Sequence, residues 1–338
     1  CAMAYWGRAM TQLHPLWAPP TDQAIQKGQE AVRKARAREA PTEREQAYID
    51  AIAAYFEDAS ERPHPERLRA WEKAQWEVHE AYPNDVDAGA FYALSHLATA
   101  PPDDREFTHQ RRAGALLQEL RAEHLEHPGL FHYTIHAYDN PVLAERAVEV
   151  ARGYDDIAPS VPHALHMPSH IFVRLGMWEE VIDWNIRSAE AALEQPVGGK
   201  TSMHHAHALD YLMYAYLQRG QDRKAAEVVN EIRAVDPYQD HFAAAYSMAA
   251  VPARYVLERG EWAEAAGLLP RIQDAFPWDR YPQYEAITYF ARGLGAARSG
   301  DLDAAREGID ILDDLHERTV GAGEDYWAVQ VEVKRTTI

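Results

Sequence analysis

The chain has 338 residues, of which 47% are hydrophobic and 26% charged, and its net charge is -19 at pH 7. A negative charge of this size repels phosphate backbones and anionic membrane surfaces, so nucleic acid is not an expected partner. No stretch approaches the roughly 18 uninterrupted apolar residues that a membrane span requires, so no span is expected, and the single cysteine excludes internal disulfides.

The chain begins at Cys1 and not at a methionine. We therefore expect an upstream segment to be missing, and such a segment could carry a targeting signal. The sequence assigns no compartment for this reason, and the cytoplasm is the default expectation.

The chain is predicted to be all-α, because extended period-2 alternation and Asn-Gly or Asp-Gly hairpin turns are absent. In the N-terminal part, prolines at positions 19 and 20, 63 and 65, and 101 and 102 interrupt the helical patterns. We interpret residues 1–127 as degenerate helical repeats, with helices over residues 2–10, 42–56, 65–81, 87–98 and 107–124.

Two HxxxH pairs dominate the next segment, residues 128–193. His132 lies 34 residues before His166, and His136 lies 34 residues before His170. A period of 34 residues is the length of one helix-turn-helix unit of the tetratricopeptide type, and residues four apart share one helix face. Pro168 falls inside the second pair and is expected to bend or restart its helix.

The C-terminal half reads as a loop followed by regular repeats. Residues 194–205, with Gly198 and Gly199, are predicted to form a loop that could also serve as a lid. Residues 206–338 are predicted to form helical hairpins over 209–219 and 223–235, 244–259 and 262–275, and 285–299 and 302–315. Together with the preceding segments they predict a single domain spanning residues 1–338.

Three segments resemble a group of bacterial tetratricopeptide-repeat proteins that carry HPGxxHYxIH and PHxxHMPSHI motifs. The segments are CAMAYWG at 1–7, HPGLFHYTIHAYDNP at 127–141 and IAPSVPHALHMPSHIFVRLG at 157–176. The likeness runs across most of the chain. It implies a TPR-like α-solenoid, a right-handed superhelix of helix-turn-helix repeats, but it names no reaction.

The resemblance also implies which side chains face the concave groove, because positions 2, 5 and 9 of each first helix point inward in this class. We take Pro128, Pro162 and Ala206 as the first positions of three successive repeats. The inward positions are then His132 and His136, followed by His163, His166 and His170, and finally His207, Asp210 and Tyr214.

Six histidines in one groove predict a transition-metal site. An HxxxH pair on one helix face can chelate a single ion, and imidazole suits Zn, Fe, Cu and Ni alike. The predicted ligands are His132, His136, His166 and His170, joined by His163 and His207. An open coordination position would lower the pKa of bound water and allow hydrolysis of a small molecule or peptide bound in the groove.

Asp210 and Tyr214 are the predicted catalytic residues. Asp210 could act as a general base, and Tyr214 could donate a hydrogen bond to a developing oxyanion. A standard HExxH metalloprotease is not expected, because Tyr133 and Thr134 follow His132.

Two other functions remain open at this point. The solenoid could be a non-enzymatic scaffold for a peptide or protein partner, with the imidazoles binding a peptide carboxylate or forming a proton-sensitive latch. It could also store or deliver haem or a metal ion, with Met167 as an exchangeable ligand. The sequence determines neither the metal, the substrate nor the oligomeric state.

Overall fold

A computed structural model describes residues 1–17, 19–235 and 237–338, and the prediction of an all-α chain is confirmed within those ranges. Besides the helices, the described residues contain only two isolated β-bridges and two 3-10 turns, at Ala144–Ala147 and Trp278–Arg280. No described helix is both long and apolar enough to cross a membrane. The α-helices are α1 (Ala2–Met10), α2 (Asp22–Arg36), α3 (Glu43–Phe56), α4 (His64–Ala81), α5 (Val86–Ala98), α6 (Thr108–Glu123), α7 (Pro128–Tyr138), α8 (Val148–Arg152), α9 (Tyr154–Ile157), α10 (Pro162–His166), α11 (Pro168–Leu175), α12 (Trp178–Leu193), α13 (Met203–Gln218), α14 (Asp222–Ala234), α15 (Phe242–Glu258), α16 (Trp262–Ala266), α17 (Pro282–Ser299), α18 (Leu302–Gly321) and α19 (Asp325–Thr337).

The chain divides into two compact units, Cys1–Gly153 and Tyr154–Ile338, called unit 1 and unit 2 below. Within each unit a helix packs against the next helix and often the next but one. In unit 1, α5 packs against α4, α6 and α7, and in unit 2, α13 packs against α12, α14 and α15. The prediction that residues 1–338 form a single domain stays a prediction.

Short polar side chains begin several helices by accepting a hydrogen bond from a backbone N–H that the helix itself leaves without a partner. Thr42 accepts from the N–H of Glu45 at the start of α3. Ser202 accepts from the N–H of His204 and so starts α13 at Met203, three residues before the predicted repeat boundary. This earlier start brings His204 and His205 into the helix that also carries His207.

The core of unit 2 lies around α13 and α15. Both helices carry small and apolar residues on their buried faces, including Leu209, Met213, Ala245 and Met248. Alanine and methionine let the helix axes approach closely and still fill irregular gaps. The packed core fixes α13, and with it the histidines at its first turns.

Prolines determine the helix limits at two predicted boundaries. The helix expected over residues 262–275 was wrong beyond Ala266, because Gly267 and then Pro270 follow. Proline has no N–H to donate, and its ring clashes with the carbonyl group four residues earlier, at Ala266. The restart expected at Pro168 is confirmed, since α10 ends at His166 and α11 begins at Pro168.

Candidate metal centre

Three histidines of unit 2 converge so that one nitrogen of each lies within 4.8 Å of the others. His166 is the last residue of α10, His170 lies in α11, and His207 lies in the second turn of α13. Three separate helices therefore supply the three imidazoles. This group is called the triad below.

The first two members of the triad lie at a chelating separation. The Nε2 atoms of His166 and His170 are 3.1 Å apart. Four nitrogens placed tetrahedrally around zinc at 2.0–2.1 Å would be separated by roughly 3.3 Å. The helix restart at Pro168 thus leaves the two imidazoles close to the spacing that one ion needs.

Asn185 fixes the tautomer of His166. Its side-chain N–H donates to the backbone carbonyl of Val181 at 2.7 Å, so its Oδ1 faces the ring and accepts from His166 Nδ1 at 2.8 Å. The proton of His166 then sits on Nδ1, and the lone pair of Nε2 is directed at His170. Outer hydrogen bonds of this kind orient imidazole ligands in metal sites.

Burial keeps His166 and His207 neutral. His166 is 1% exposed, and burial, reinforced by the neighbouring His207 and His170, holds its pKa well below the ordinary value. Burial and the nearby His170 lower the pKa of His207 to about 3. A neutral imidazole is the form that binds metal, so these two histidines have their lone pairs available near neutral pH.

Tyr211 forms a wall along the triad. Its ring lies 4.5 Å from that of His166 and 5.5 Å from that of His170, between centroids. The centroid of His207 is 5.4 Å away, and the ring planes of Tyr211 and His207 meet edge to face. Tyr211 follows His207 by four residues on α13, which places both side chains on one helix face.

His163 lies at the margin of the triad. Its ring centroid is 6.4 Å from that of His166 and 5.4 Å from that of His204. The structure does not include it in the group of three nitrogens.

His132 and His136 form a second pair in unit 1, on α7. Their Nε2 atoms are 3.0 Å apart, close to the separation found in the first pair of the triad. Both side chains are partly exposed. Each HxxxH motif therefore brings two ring nitrogens to chelating distance, within its own unit.

The two predicted catalytic residues of α13 have other contacts. The Asp210 carboxylate accepts from Arg254 Nη1 at 2.7 Å, and burial raises its pKa although Arg254 opposes this. Tyr214 packs edge to face on Trp178, 5.4 Å between centroids, with the Arg254 guanidinium 5.3 Å from its ring. These residues form an arginine-centred cluster, and their catalytic roles stay predictions.

Asn185 and Tyr211 were not among the site residues predicted from the sequence. Tyr211 carried a signal, its four-residue spacing from His207. Asn185 carried a weaker one, a polar residue in the interior of α12, where asparagine is unfavourable unless a tertiary contact compensates. Met167, considered as an exchangeable ligand, is buried, and that role stays a prediction.

Comparison with known protein families and with curated proteins found no match to this chain.

Proposed function

We propose that this protein binds one transition metal ion through His166, His170 and His207. The observation that carries the proposal is the convergence of their three nitrogens within 4.8 Å. The hydrogen bond from His166 to Asn185 supports it, because it presents a lone pair at Nε2 where the ion would bind.

Zinc is the first candidate for this ion, since three protein ligands and one open position are the common arrangement of catalytic zinc. Iron, copper and nickel bind the same ligand type, so the ligand set alone leaves them as competitors. For an ion to bind, the proton on His170 Nε2, which lies 3.1 Å from His166 Nε2, would move to Nδ1 of the same ring, so that Nε2 presents its lone pair to the ion.

Hydrolysis is the proposed chemistry. An ion with an open position lowers the pKa of bound water and generates a nucleophile near neutral pH. Buried surroundings strengthen the charge interactions of such a centre. The proposed substrate is a small molecule or a peptide.

We also propose that the chain is a TPR-like solenoid related to the bacterial group with HPGxxHYxIH and PHxxHMPSHI motifs. Support comes from the packing order of the helices in unit 2. There α13 packs on α15, and α15 packs on α17, although α14 and α16 lie between them along the chain. Successive first helices that stack in this way are typical of helical-hairpin repeats.

The test of metal binding is elemental analysis of the untagged protein, purified without chelators. We expect about one Zn, Fe, Cu or Ni per chain, lost in the double variant His166→Ala/His170→Ala. A matched control, His14→Ala/His316→Ala, removes two histidines outside the triad and should keep the ion. Circular dichroism establishes that each variant is folded.

A parent protein without metal, or a folded triad variant that retains it, would contradict the proposal. The first result would favour the peptide-binding scaffold, which predicts groove affinity that survives chelation. If metal is present, hydrolysis is tested by screening small esters and peptides with the metal-loaded protein and with the triad variant. Turnover that is equal in the two would argue against metal-dependent hydrolysis.

A further inference from the structure

We propose a second ligand site, in unit 1, which binds a small aromatic molecule that carries a negatively charged group. Two cavities lined by residues of α4, α5 and α6 form this site. It contains none of the triad histidines, and binding there requires no metal ion. The proposal therefore goes beyond metal binding and is tested independently of it.

The two cavities share one wall, because Trp76, Tyr92 and Arg112 line both of them. The first, called the histidine cavity, has a volume of about 210 Å³ and is also lined by His79, Glu80, Ala93, His96, Ala113 and Leu116. The second, called the arginine cavity, has a volume of about 260 Å³ and is also lined by Arg69, Glu72 and Lys73. A cavity of roughly 150 Å³ can admit benzene, so each of these has room for one six-membered ring.

The arginine cavity favours a negatively charged group. Of the described residues that line it, three are cationic and one, Glu72, is anionic. Glu72 Oε1 lies 2.6 Å from His96 Nδ1, so this carboxylate already accepts a hydrogen bond within the protein. Lys73 pairs with Glu77 at 2.6 Å, but the pair is exposed and hence weak. The wall keeps an excess of positive charge in a chain whose net charge is -19, and this excess attracts an anion.

The shared wall favours an aromatic ring. Trp76 is 43% exposed, although tryptophan is highly buried on average. Tyr92 is buried, with the rings of His79 and His96 at 5.8 Å and 5.9 Å from its own. A ligand ring against Trp76 would cover apolar surface that water otherwise contacts. Because the histidine cavity contains the Glu80 carboxylate, we place the ring there and the anionic group in the arginine cavity.

Contacts within unit 1 hold part of this lining in place. The His96 ring stacks on that of His109, with 4.3 Å between centroids and 19° between the ring planes. The hydrogen bond between His96 and Glu72 adds a second restraint on the same side chain. Side chains that are already ordered lose little conformational entropy when a ligand binds, which favours affinity.

The experiment titrates the full chain with benzoate, in a buffer that contains EDTA, and follows binding by ligand-observed NMR. We expect saturable binding. Benzamide has the same ring without the charge, and cyclohexanecarboxylate has the charge without the aromatic ring, so each should bind about tenfold more weakly than benzoate. Phenyl phosphate, titrated separately, shows whether the site prefers a carboxylate or a phosphate, and tight binding of either supports the proposal.

Neighbouring arginines of α6 provide matched variants. Arg112 lines both cavities, whereas Arg111 belongs to neither lining and donates to the backbone carbonyl of Glu106 at 2.9 Å. Arg112→Gln should weaken benzoate binding about tenfold, and Arg111→Gln should leave it unchanged. Circular dichroism establishes that both variants are folded. The comparison of benzoate with its two analogues uses the parent protein alone, so it stands even if a variant fails to fold.

Equal affinity for benzoate and either analogue would overturn the proposal, as would the absence of saturable binding by both benzoate and phenyl phosphate. An equal loss of affinity in Arg111→Gln and Arg112→Gln would also overturn it, because general surface charge would then explain the attraction. Benzoate binding that is lost in His166→Ala/His170→Ala protein would place the ligand in unit 2 instead. Since EDTA removes metal ions from every titration, these results do not depend on whether the triad binds one.

Discussion

His205 lies two residues before the triad histidine His207 on α13, but its environment is different. It is fully buried, with Nδ1 2.8 Å from the Tyr238 hydroxyl and Nε2 3.1 Å from the Glu231 carboxylate. Both ring nitrogens are thus engaged within the protein. This arrangement joins the start of α13 to α14 and to the segment that follows it.

We expect His205→Ala to lower the free energy of unfolding by about 1–3 kcal/mol, because it leaves the Tyr238 hydroxyl buried without its partner. The metal content of the folded variant should be unchanged. Urea unfolding followed by circular dichroism measures the first quantity, and elemental analysis measures the second. Loss of the ion from folded His205→Ala protein would mean that this histidine supports the centre after all.

Among single residues, the sequence predicted the histidines of the triad better than their hydrogen-bond partners. The 34-residue spacing and the repeat register marked His166, His170 and His207, because a periodic fold places equivalent positions on one surface. The partner Asn185 belongs to α12, 19 positions after His166. A contact between two helices depends on how they pack, and one sequence does not give that packing.

At the scale of helices, α16 and α17 approach each other at a glycine. A Cβ atom on Gly295 would lie 2.5 Å from the backbone nitrogen of Ala266 and 2.6 Å from the carbonyl oxygen of Trp262. A Cβ on Gly293, two residues earlier on α17, would instead meet the end of the Ile338 side chain at 2.6 Å. The backbone atoms of α16 cannot move away from a Cβ on Gly295 by a simple rotation, whereas the Ile338 side chain can rotate away from a Cβ on Gly293.

Gly295→Ala should therefore destabilise the protein by about 1–3 kcal/mol, since overpacking outweighs the better helix propensity of alanine. Gly293→Ala is the matched control on the same helix, and its stability should be close to that of the parent. Urea unfolding of the two variants gives the comparison. Equal stability of the two would show that α16 shifts freely against α17.

Helix positions followed from the sequence wherever caps and breakers were clear. The predicted helix over residues 2–10 has the observed limits. The one at 42–56 starts one residue before α3, and the one at 107–124 extends one residue beyond α6 at each end. The prediction failed for α16, where the repeat pattern was continued through Gly267 and Pro270. The prediction followed the length of the repeat, whereas in the structure the glycine and the proline end the helix.

At the scale of the whole molecule, each unit contains a buried tyrosine that resists ionisation. Burial raises the pKa of Tyr55 in unit 1 to about 12, and burial likewise raises that of Tyr284 in unit 2 to about 12. The ordinary value in an unfolded chain is about 10. A raised pKa means that the neutral form is favoured by folding, so the contribution is complete below pH 10 and is lost as pH rises towards 12.

We expect both units to lose stability over this window. Tyr284→Phe should flatten the pH dependence for unit 2, and Tyr55→Phe should do so for unit 1. Hydrogen exchange measured peptide by peptide between pH 9 and 11 assigns the effect to each unit, after correction for the intrinsic exchange rate. A loss of protection that neither variant alters would show that other groups control alkaline unfolding.

The two HxxxH pairs provide the last prediction, because their local geometries are nearly the same but their surroundings differ. The Nε2 separations are 3.0 Å for His132 and His136 and 3.1 Å for His166 and His170. Only the second pair has a third histidine converging on it among the described residues of its own unit. Three ligands hold an ion more tightly than two, since the third nitrogen replaces another water without further loss of chain entropy.

At one equivalent of zinc we therefore expect His132→Ala/His136→Ala protein to retain about one ion per chain and His166→Ala/His170→Ala protein to retain none after dialysis. Calorimetric titration of the parent should show one tight site, with any second event much weaker. Loss of the ion from both double variants, each shown to be folded, would contradict the assignment to the triad alone and would mean that binding needs all four histidines. That outcome would favour the ligand set predicted from the repeat register.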